Sequence, residues 1–339
     1  VIHEVVVRRD PGENIVYKPR FGCRRHLSKP KIGRLCVVIV WLFRFHRVGE
    51  DSRAPSKTLP CWIMPELPEV ETVRRGLQPY LEGHRLARVI IRRSDLRRPI
   101  PKDFASRLEG GCVRELARRG KYLLWYFEDN TVVLQHLGMS GRLLLFEGPP
   151  PAPSPHDHVD FETEAGVCIR FSDPRRFGLF AVSDMASLAV HPLLKDMGPD
   201  PLSEDFGEVR LMERLEKRKG PLKTVLLNQH VVAGLGNIYV CESLYWSGLS
   251  PRRRASSIRS GRARKLANTM RRVLEQAIAA GGSSLRDHVQ PSGELGYFQH
   301  HFAVYDQEGQ RCPACDCKDG IRRIRQAGRS TYYCAKRQR

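Results

Sequence analysis

Long apolar runs are missing from this sequence. No stretch approaches the roughly 18–20 apolar residues that a membrane-crossing helix needs. The best candidate, Leu35–Phe43, spans nine residues between Arg34 and Arg44. It starts too late for an ordinary secretory signal, and no small-residue cleavage site follows it. A disulfide framework is missing too: the ten cysteines are scattered, apart from Cys312, Cys315 and Cys317. A local cluster of that kind holds metal more often than it staples a secreted scaffold. Internal repeats are absent. Acids are scarce: 37 Asp+Glu face 57 Lys+Arg, a net charge of +20. These absences argue against a membrane-spanning or secreted disulfide-rich protein and lead us to expect a soluble, cytoplasmic one. The basic excess calls for a polyanionic partner, of which nucleic acid is the commonest and an anionic membrane surface the rival.

What is present suits two or three compact units, since the chain has 339 residues and an ordinary 41% hydrophobic content. Residues 1–63 stand apart. They carry 13 Lys+Arg against 5 Asp+Glu and show no sustained helical or strand period. Two readings are open: a disordered basic arm, or an upstream stretch included through a mistaken start codon, which we prefer. From Met64 the pattern becomes regular. Pro65 to Leu77 reads as a helix whose first turns hold prolines, Glu66, Glu69 and Glu71, followed by Arg74 and Arg75, a charge order that complements the helix dipole. Val70, Val73 and Leu77 form its apolar stripe.

Between Arg85 and Ser183 the text is strand-like. Candidate strands are Leu86–Ile91, Tyr122–Phe127, Thr131–Leu137, Arg142–Phe146, Val159–Glu162, Val167–Phe171 and Phe180–Ser183, an antiparallel sandwich by pattern. The proline-rich Gly148–Pro155 is a surface loop. After His191 helices follow at Glu208–Lys217, Pro221–Leu227, Ile238–Ser247 and Arg262–Ala280, then a flexible loop, Gln290–Gly296, and a short basic, cysteine-bearing end. The expected fold class is α+β, with parts at 1–63, 64–190, 200–300 and 304–339.

Several residues carry chemistry. Met64 before Pro65 suits initiator-methionine removal, which would leave a proline secondary amine. An α-amino group has a pKa of roughly 7.7–8, so a useful fraction is unprotonated near neutrality. Such an amine attacks a sugar carbon and forms an iminium, and Glu66 beside it can move protons. Taken alone, the same segment is a well-formed helix start. Gly234-Leu235-Gly236-Asn237 lies between helical segments, either as a plain connector or as a turn whose backbone N–H groups approach a phosphate. The Arg118, Arg119, Lys121 cluster suggests a phosphate-facing strand edge.

The opening Pro65-Glu66-Leu67-Pro68-Glu69-Val70-Glu71-Thr72-Val73-Arg74-Arg75-Gly76 resembles that of bacterial formamidopyrimidine-DNA glycosylases. The resemblance runs from Met64 almost to the C-terminus, about four-fifths of the chain. It recurs, in the family's order, at Arg119–Leu124, His136–Gly141, His156–Asp160, Asp173–Gly178, Gly234–Tyr239 and Gly296–Phe298. It implies an N-terminal β-sandwich domain with flanking helices, a helix–two-turn–helix domain and a zinc-ribbon-like β-hairpin. By the resemblance Pro65 is the nucleophile on C1′ of the damaged nucleotide, Glu66 the acid/base and Glu69 its support. Lys121 assists elimination, and Arg329 promotes the second elimination step. Met139, Arg175 and Phe177 fill the gap left by an extruded base, where a wedge offsets lost stacking. His136, His156, Arg176, Asn237 and Lys219 (or its neighbour Arg218) are further DNA contacts. The loop Ser292–Phe298 covers the flipped base.

At the C-terminus the sequence departs from the family's four-cysteine zinc ribbon. Cys312 and Cys315 give one C-x2-C pair, but three residues after Cys334 stands Arg337. Cys317 is the available fourth ligand for one Zn2+, although it is only two positions beyond Cys315; a metal-free hairpin is the alternative. The implied activity is that of a bifunctional glycosylase and abasic-site lyase, monomeric, acting on double-stranded DNA with oxidised purines or abasic sites in the bacterial cytoplasm. The competing readings are an endonuclease VIII-like enzyme for oxidised pyrimidines and a non-catalytic DNA-binding protein whose Pro65 stays blocked.

Overall fold

The computed structural model describes residues 64–283, 291 and 296–339. The stretch 1–63 and most of the loop expected at Gln290–Gly296 lie outside these residues. The fold opens on α1 (Leu67–Leu81). Pro68 sits at its start, where a missing N–H costs nothing, and Val70, Val73 and Leu77 are buried as their spacing requires. The helix continues past the expected end at Leu77, through Pro79, because Leu81 is also buried and the Glu82 N–H closes on the Gln78 carbonyl at 3.1 Å. A proline this near a C-terminus removes one helical bond without breaking the rest.

Two antiparallel sheets follow. One has the order β1 (Leu86–Ile91), β6 (Asp157–Thr163), β7 (Val167–Ser172), β5 (Arg142–Glu147); the other runs β2 (Val113–Arg119), β3 (Tyr122–Phe127), β4 (Thr131–His136), β8 (Leu179–Asp184). They face each other across one core. Trp125 on β3 meets Phe161 on β6 at 4.9 Å between centroids, and Phe171 on β7 meets Phe180 on β8 at 5.1 Å. Apolar side chains of alternate strand positions from both sheets interdigitate there, with the stripe of α1 against them. Strand β2 and the five-residue helix α2 (Phe104–Leu108) escaped the sequence reading. In β2 only Val113 and Leu116 are buried, and three arginines hide the alternation.

The second half is helical: α3 (Glu208–Leu215), α4 (Leu222–Leu226), α5 (Asn237–Ser247) and α6 (Ser260–Ala279). Almost every residue of α5 is buried, so it is the central helix of this half. Gly248, at φ +74°, stops it. A hairpin of β9 (Arg322–Gln326) and β10 (Arg329–Tyr333) closes the chain. Its two turn residues, Ala327 and Gly328, both have positive φ, the geometry that matches the twist of a two-residue hairpin. The helices and hairpin share one core with Leu67 of α1, and this joins the two halves. No described helix is long and apolar enough to cross a membrane.

Candidate active site

The junction of the halves is built around two carboxylates. Leu67 N–H donates to the Gly234 carbonyl at 3.0 Å, which brings the start of α1 onto the turn before α5. Gly234 holds φ +83° there. Glu66 then meets the N-terminus of α5: its carboxylate accepts from the N–H groups of Gly236 (2.7 Å), Ile238 (2.9 Å) and Tyr239 (3.3 Å). These are orphan donors of a first helical turn, and the anion they receive is the chain's own side chain. Of the turn's glycine N–H groups, that of Gly236 is thus taken by Glu66 and that of Gly234 by the Gln229 side chain at 2.8 Å. Gly236 is needed for space, since a Cβ would lie 2.3 Å from the Glu66 carboxyl.

Glu66 is fully buried, and burial is the largest influence on it. Against the pull of Lys121 and of the helix N–H groups, and with the push of Glu69, burial raises its pKa to about 7. Glu69 is fixed by four donors: the Glu66 N–H at 3.0 Å, the Tyr239 hydroxyl at 2.5 Å, and the Ser283 N–H and hydroxyl at 2.9 and 2.8 Å. Pro65 is buried beside this pair.

Lys121 lies just after the β2–β3 turn and is buried; desolvation lowers its pKa, opposed by the charge of Glu66. It lines a cavity of about 350 Å³ together with Met64, His136, Leu235 and Arg329. The Gly138 N–H donates to His136 Nδ1 at 2.9 Å, so the neutral ring carries its proton on Nε2. Burial, then the charges of Lys121 and Arg97, depress this histidine to about 3. The two arginines beside Lys121 serve otherwise than expected. Arg118, partly buried, forms ion pairs with Asp200 (2.6 Å) and Glu71 (3.2 Å), and Arg119 donates to the carbonyls of Met197 and Gly198. Two carboxylates and two carbonyls thus consume the cations that seemed to face phosphate.

The residues expected to fill a base gap sit on two adjoining turns. Phe177 is 40% exposed and Met139 half-buried, so neither is a core residue. The Arg175 guanidinium lies 4.7 Å from the centre of the Phe177 ring. Buried Asp173 ties the turns together: it accepts from Ser140 Oγ at 2.6 Å and from the Gly178 N–H at 2.7 Å. Exposed His156 is joined to the same turn through the Asp173 N–H on its carbonyl. Arg176 pairs with Asp95 at 2.6 Å.

Asn237 and the wholly buried Lys223 both donate to the Ser330 carbonyl, at 3.0 and 3.1 Å, and so hold the hairpin beside Arg329. The sequence assigns no role to Lys223, Tyr239, Ser283 or Asp173, although Tyr239 and Asp173 close and open two of the recurring motifs. For Lys223 the available signal was a lysine two places after a proline in an apolar helix. Lys219 is exposed on the loop before α4.

The four cysteines 312, 315, 317 and 334 converge, with all Sγ atoms within 4.8 Å of one another. Cys334 Sγ is 3.5 Å from that of Cys315 and 3.6 Å from that of Cys317. Arg337 points elsewhere: its guanidinium covers the rings of Tyr245 and Trp246 at 5.0 and 5.8 Å. Four converging thiols are a donor set suited to zinc.

The comparisons are specific. The family models for the formamidopyrimidine-DNA glycosylase N-terminal domain and H2TH domain match residues 64–180 and 197–289. The formamidopyrimidine-DNA glycosylase of Rhodospirillum rubrum is 56% identical over 283 residues, covering 81% of this chain and all of that protein. The crystal structure of the MutM (Fpg) protein from Thermus thermophilus aligns at TM-score 0.72 and 39% identity over 81% of this chain and 98% of its own. A Lactococcus lactis Fpg mutant in complex with Fapy-dG-containing DNA aligns at TM-score 0.74 and 32% identity over 81% of this chain and all of its own. The chain belongs to the formamidopyrimidine-DNA glycosylase family, enzymes of base-excision repair.

Proposed function

We propose that the protein removes oxidised purines, such as 8-oxoguanine and formamidopyrimidines, from double-stranded DNA and then cleaves the strand by β,δ-elimination. The observation that carries this reading is the burial of Pro65 between Glu66 and Met64, the latter lining a cavity with Lys121, His136 and Arg329. The proline nitrogen attacks C1′ of an extruded nucleotide. The N–C1′ bond forms as the glycosidic bond breaks, and the base leaves with a proton. Glu66, near half-protonated at neutral pH, supplies a proton at the opening sugar ring. The resulting iminium acidifies the C2′ hydrogen, and the 3′ and then the 5′ phosphate leave, assisted by Lys121 and Arg329. Glu69 holds Glu66 in line. Phe177, Met139 and Arg175 occupy the vacated stack, while His136, through its Nε2 proton, His156, Arg176, Lys219 and Asn237 meet the backbone. Asn237 does so through its grip on the hairpin.

One Zn2+ held by Cys312, Cys315, Cys317 and Cys334 would brace that hairpin. The working parts are 64–190, 200–300 and 304–339, and the enzyme acts as a monomer in the cytoplasm of a bacterium. The mechanism needs a free proline amine, whereas in the chain from Val1 that nitrogen is a tertiary amide without nucleophilicity. The start of the family match at residue 64 supports an active form beginning at Pro65. The test is borohydride trapping on 8-oxoguanine DNA with protein begun at Val1 and at Met64. Trapping is expected only where mass analysis finds Pro65 at the N-terminus. A covalent adduct of the intact Val1 form would overturn the Pro65 mechanism.

A further inference from the structure

A cationic surface lies outside the cavity just described. The loop before α4, which carries Arg218 and Lys219, and the loop of Arg252, Arg253 and Arg254 before α6 are zipped together by backbone bonds. Leu222 N–H donates to the Arg253 carbonyl at 2.6 Å, Ala255 N–H to Gly220 at 2.9 Å and Ser256 N–H to Arg218 at 2.9 Å. The result is a single ledge. Arg218, Lys219, Arg252 and Arg254 are exposed on it, and Arg253 is partly buried, its Nε donating to a main-chain oxygen of the last residue, Arg339, at 3.2 Å. Among the described residues none of the four exposed cations has an Asp or Glu carboxylate within 4.0 Å. On α6, by contrast, Arg264 is answered by Glu208 at 2.6 Å.

The ledge is continuous with the hairpin. Gln326 Nε2 donates to the Pro251 carbonyl at 3.3 Å, and Gln326 is the register partner of Arg329. Directly paired residues of antiparallel strands share a face. The ledge therefore adjoins the face of the hairpin that presents Arg329 to the cavity. Four exposed like charges on two zipped loops repel one another, and a polyanion laid along them relieves that repulsion.

We infer that Arg252 and Arg254, on the ledge shared with Lys219, extend the DNA-contact surface past the lesion cleft and hold the phosphate backbone of the duplex flanking the lesion. The inference rests on the DNA-glycosylase reading above. It is tested by binding of the full chain to two duplexes with a reduced abasic-site analogue. One duplex just fills the cleft and the other is extended by a helical turn on each side. Wild-type protein gains affinity from the extension. R252Q/R254Q loses most of that gain, and its log–log salt slope on the longer duplex is shallower by about 1.8, two phosphates at about 0.9 each. R252K/R254K restores both. The ratio of the two affinities is internal to each protein, so a misfolded fraction cancels, and the charge of residues 1–63 is common to all. An unchanged ratio and slope in R252Q/R254Q would overturn the ledge alone. Failure of the wild-type protein to distinguish the analogue from intact duplex would overturn the glycosylase reading itself.

Discussion

The Glu66 carboxylate and the Ile238 N–H are hydrogen-bonded at 2.9 Å across 172 positions of sequence. One residue thus serves two ends. It caps the central helix of one half while standing next to the proposed nucleophile of the other, and its pKa follows from that position: burial raises it while the helix N-terminus restrains the rise.

The tightness of this contact makes Gly236 a sensitive probe. An alanine Cβ would sit 2.3 Å from the Glu66 carboxyl, so either the carboxylate or the turn must move. Gly236→Ala is expected to lower base release by about 10²-fold or more, the worth of a positioned acid. The overpacking should cost about 1–3 kcal/mol. Single-turnover excision alongside a denaturant titration reads both, and full excision in a stable variant would contradict the role given to Glu66.

Base release should have a bell-shaped pH profile. The amine must be neutral, with a pKa of roughly 7.7–8, and Glu66 must be protonated, with a pKa of about 7. Excision falls below neutrality as the amine gains a proton and above it as Glu66 loses one. Glu66→Gln should lose base release yet still trap on a pre-formed abasic site, with only the amine limb in its profile. Two limbs on abasic DNA in Glu66→Gln would assign the second to another group.

Metal content distinguishes the two readings of the hairpin. Purified protein is expected to hold about one equivalent of zinc, and Cys317→Ser to lose it. Adding Arg337→Cys to Cys317→Ser, which recreates two C-x2-C pairs, should restore it. Elemental analysis that finds no zinc in the wild-type protein makes the hairpin metal-free.

His136 ties acid stability to the cavity. Its folded pKa of about 3 lies below the ordinary 6.5, so the stability it contributes is complete above 6.5 and is lost as pH falls toward 3. At pH 5 the unfolded chain holds a proton that the folded one refuses, worth about 2 kcal/mol. His136→Gln should remove that share of the acid sensitivity, read as a smaller drop in urea midpoint between pH 7 and pH 5. Parallel drops in both proteins would mean that the ring titrates normally.

Much of this architecture is legible in the sequence because periodicity survives where one face is buried. Strands β1 and β3 fall where the alternation puts them, and the proline-acid opening of α1 marks its start. β2 was illegible because its arginines are answered far away in sequence: Arg118 by Asp200 and Glu71, 82 and 47 positions off, and Arg119 by the Met197 and Gly198 carbonyls. Lys223 and Asp173 were illegible for a related reason: a buried polar group is intelligible only once its partner is adjacent. The motif Gly234–Asn237 leaves a plain connector and a phosphate-facing turn equally open in sequence, and only folding brings Glu66 onto the Gly236 N–H. Cys317 sits close to Cys315 in sequence, yet a turn carries both to Cys334, a closeness that counting residues made look strained.

The four donors on Glu69 come from positions 66, 239 and 283, and the hairpin that flanks the cavity ends at Tyr333. During synthesis the proposed nucleophile is therefore among the earliest parts of this fold to emerge, and the groups that orient its neighbours are among the last. A truncated or stalled nascent chain has the proline without the scaffold that makes it competent.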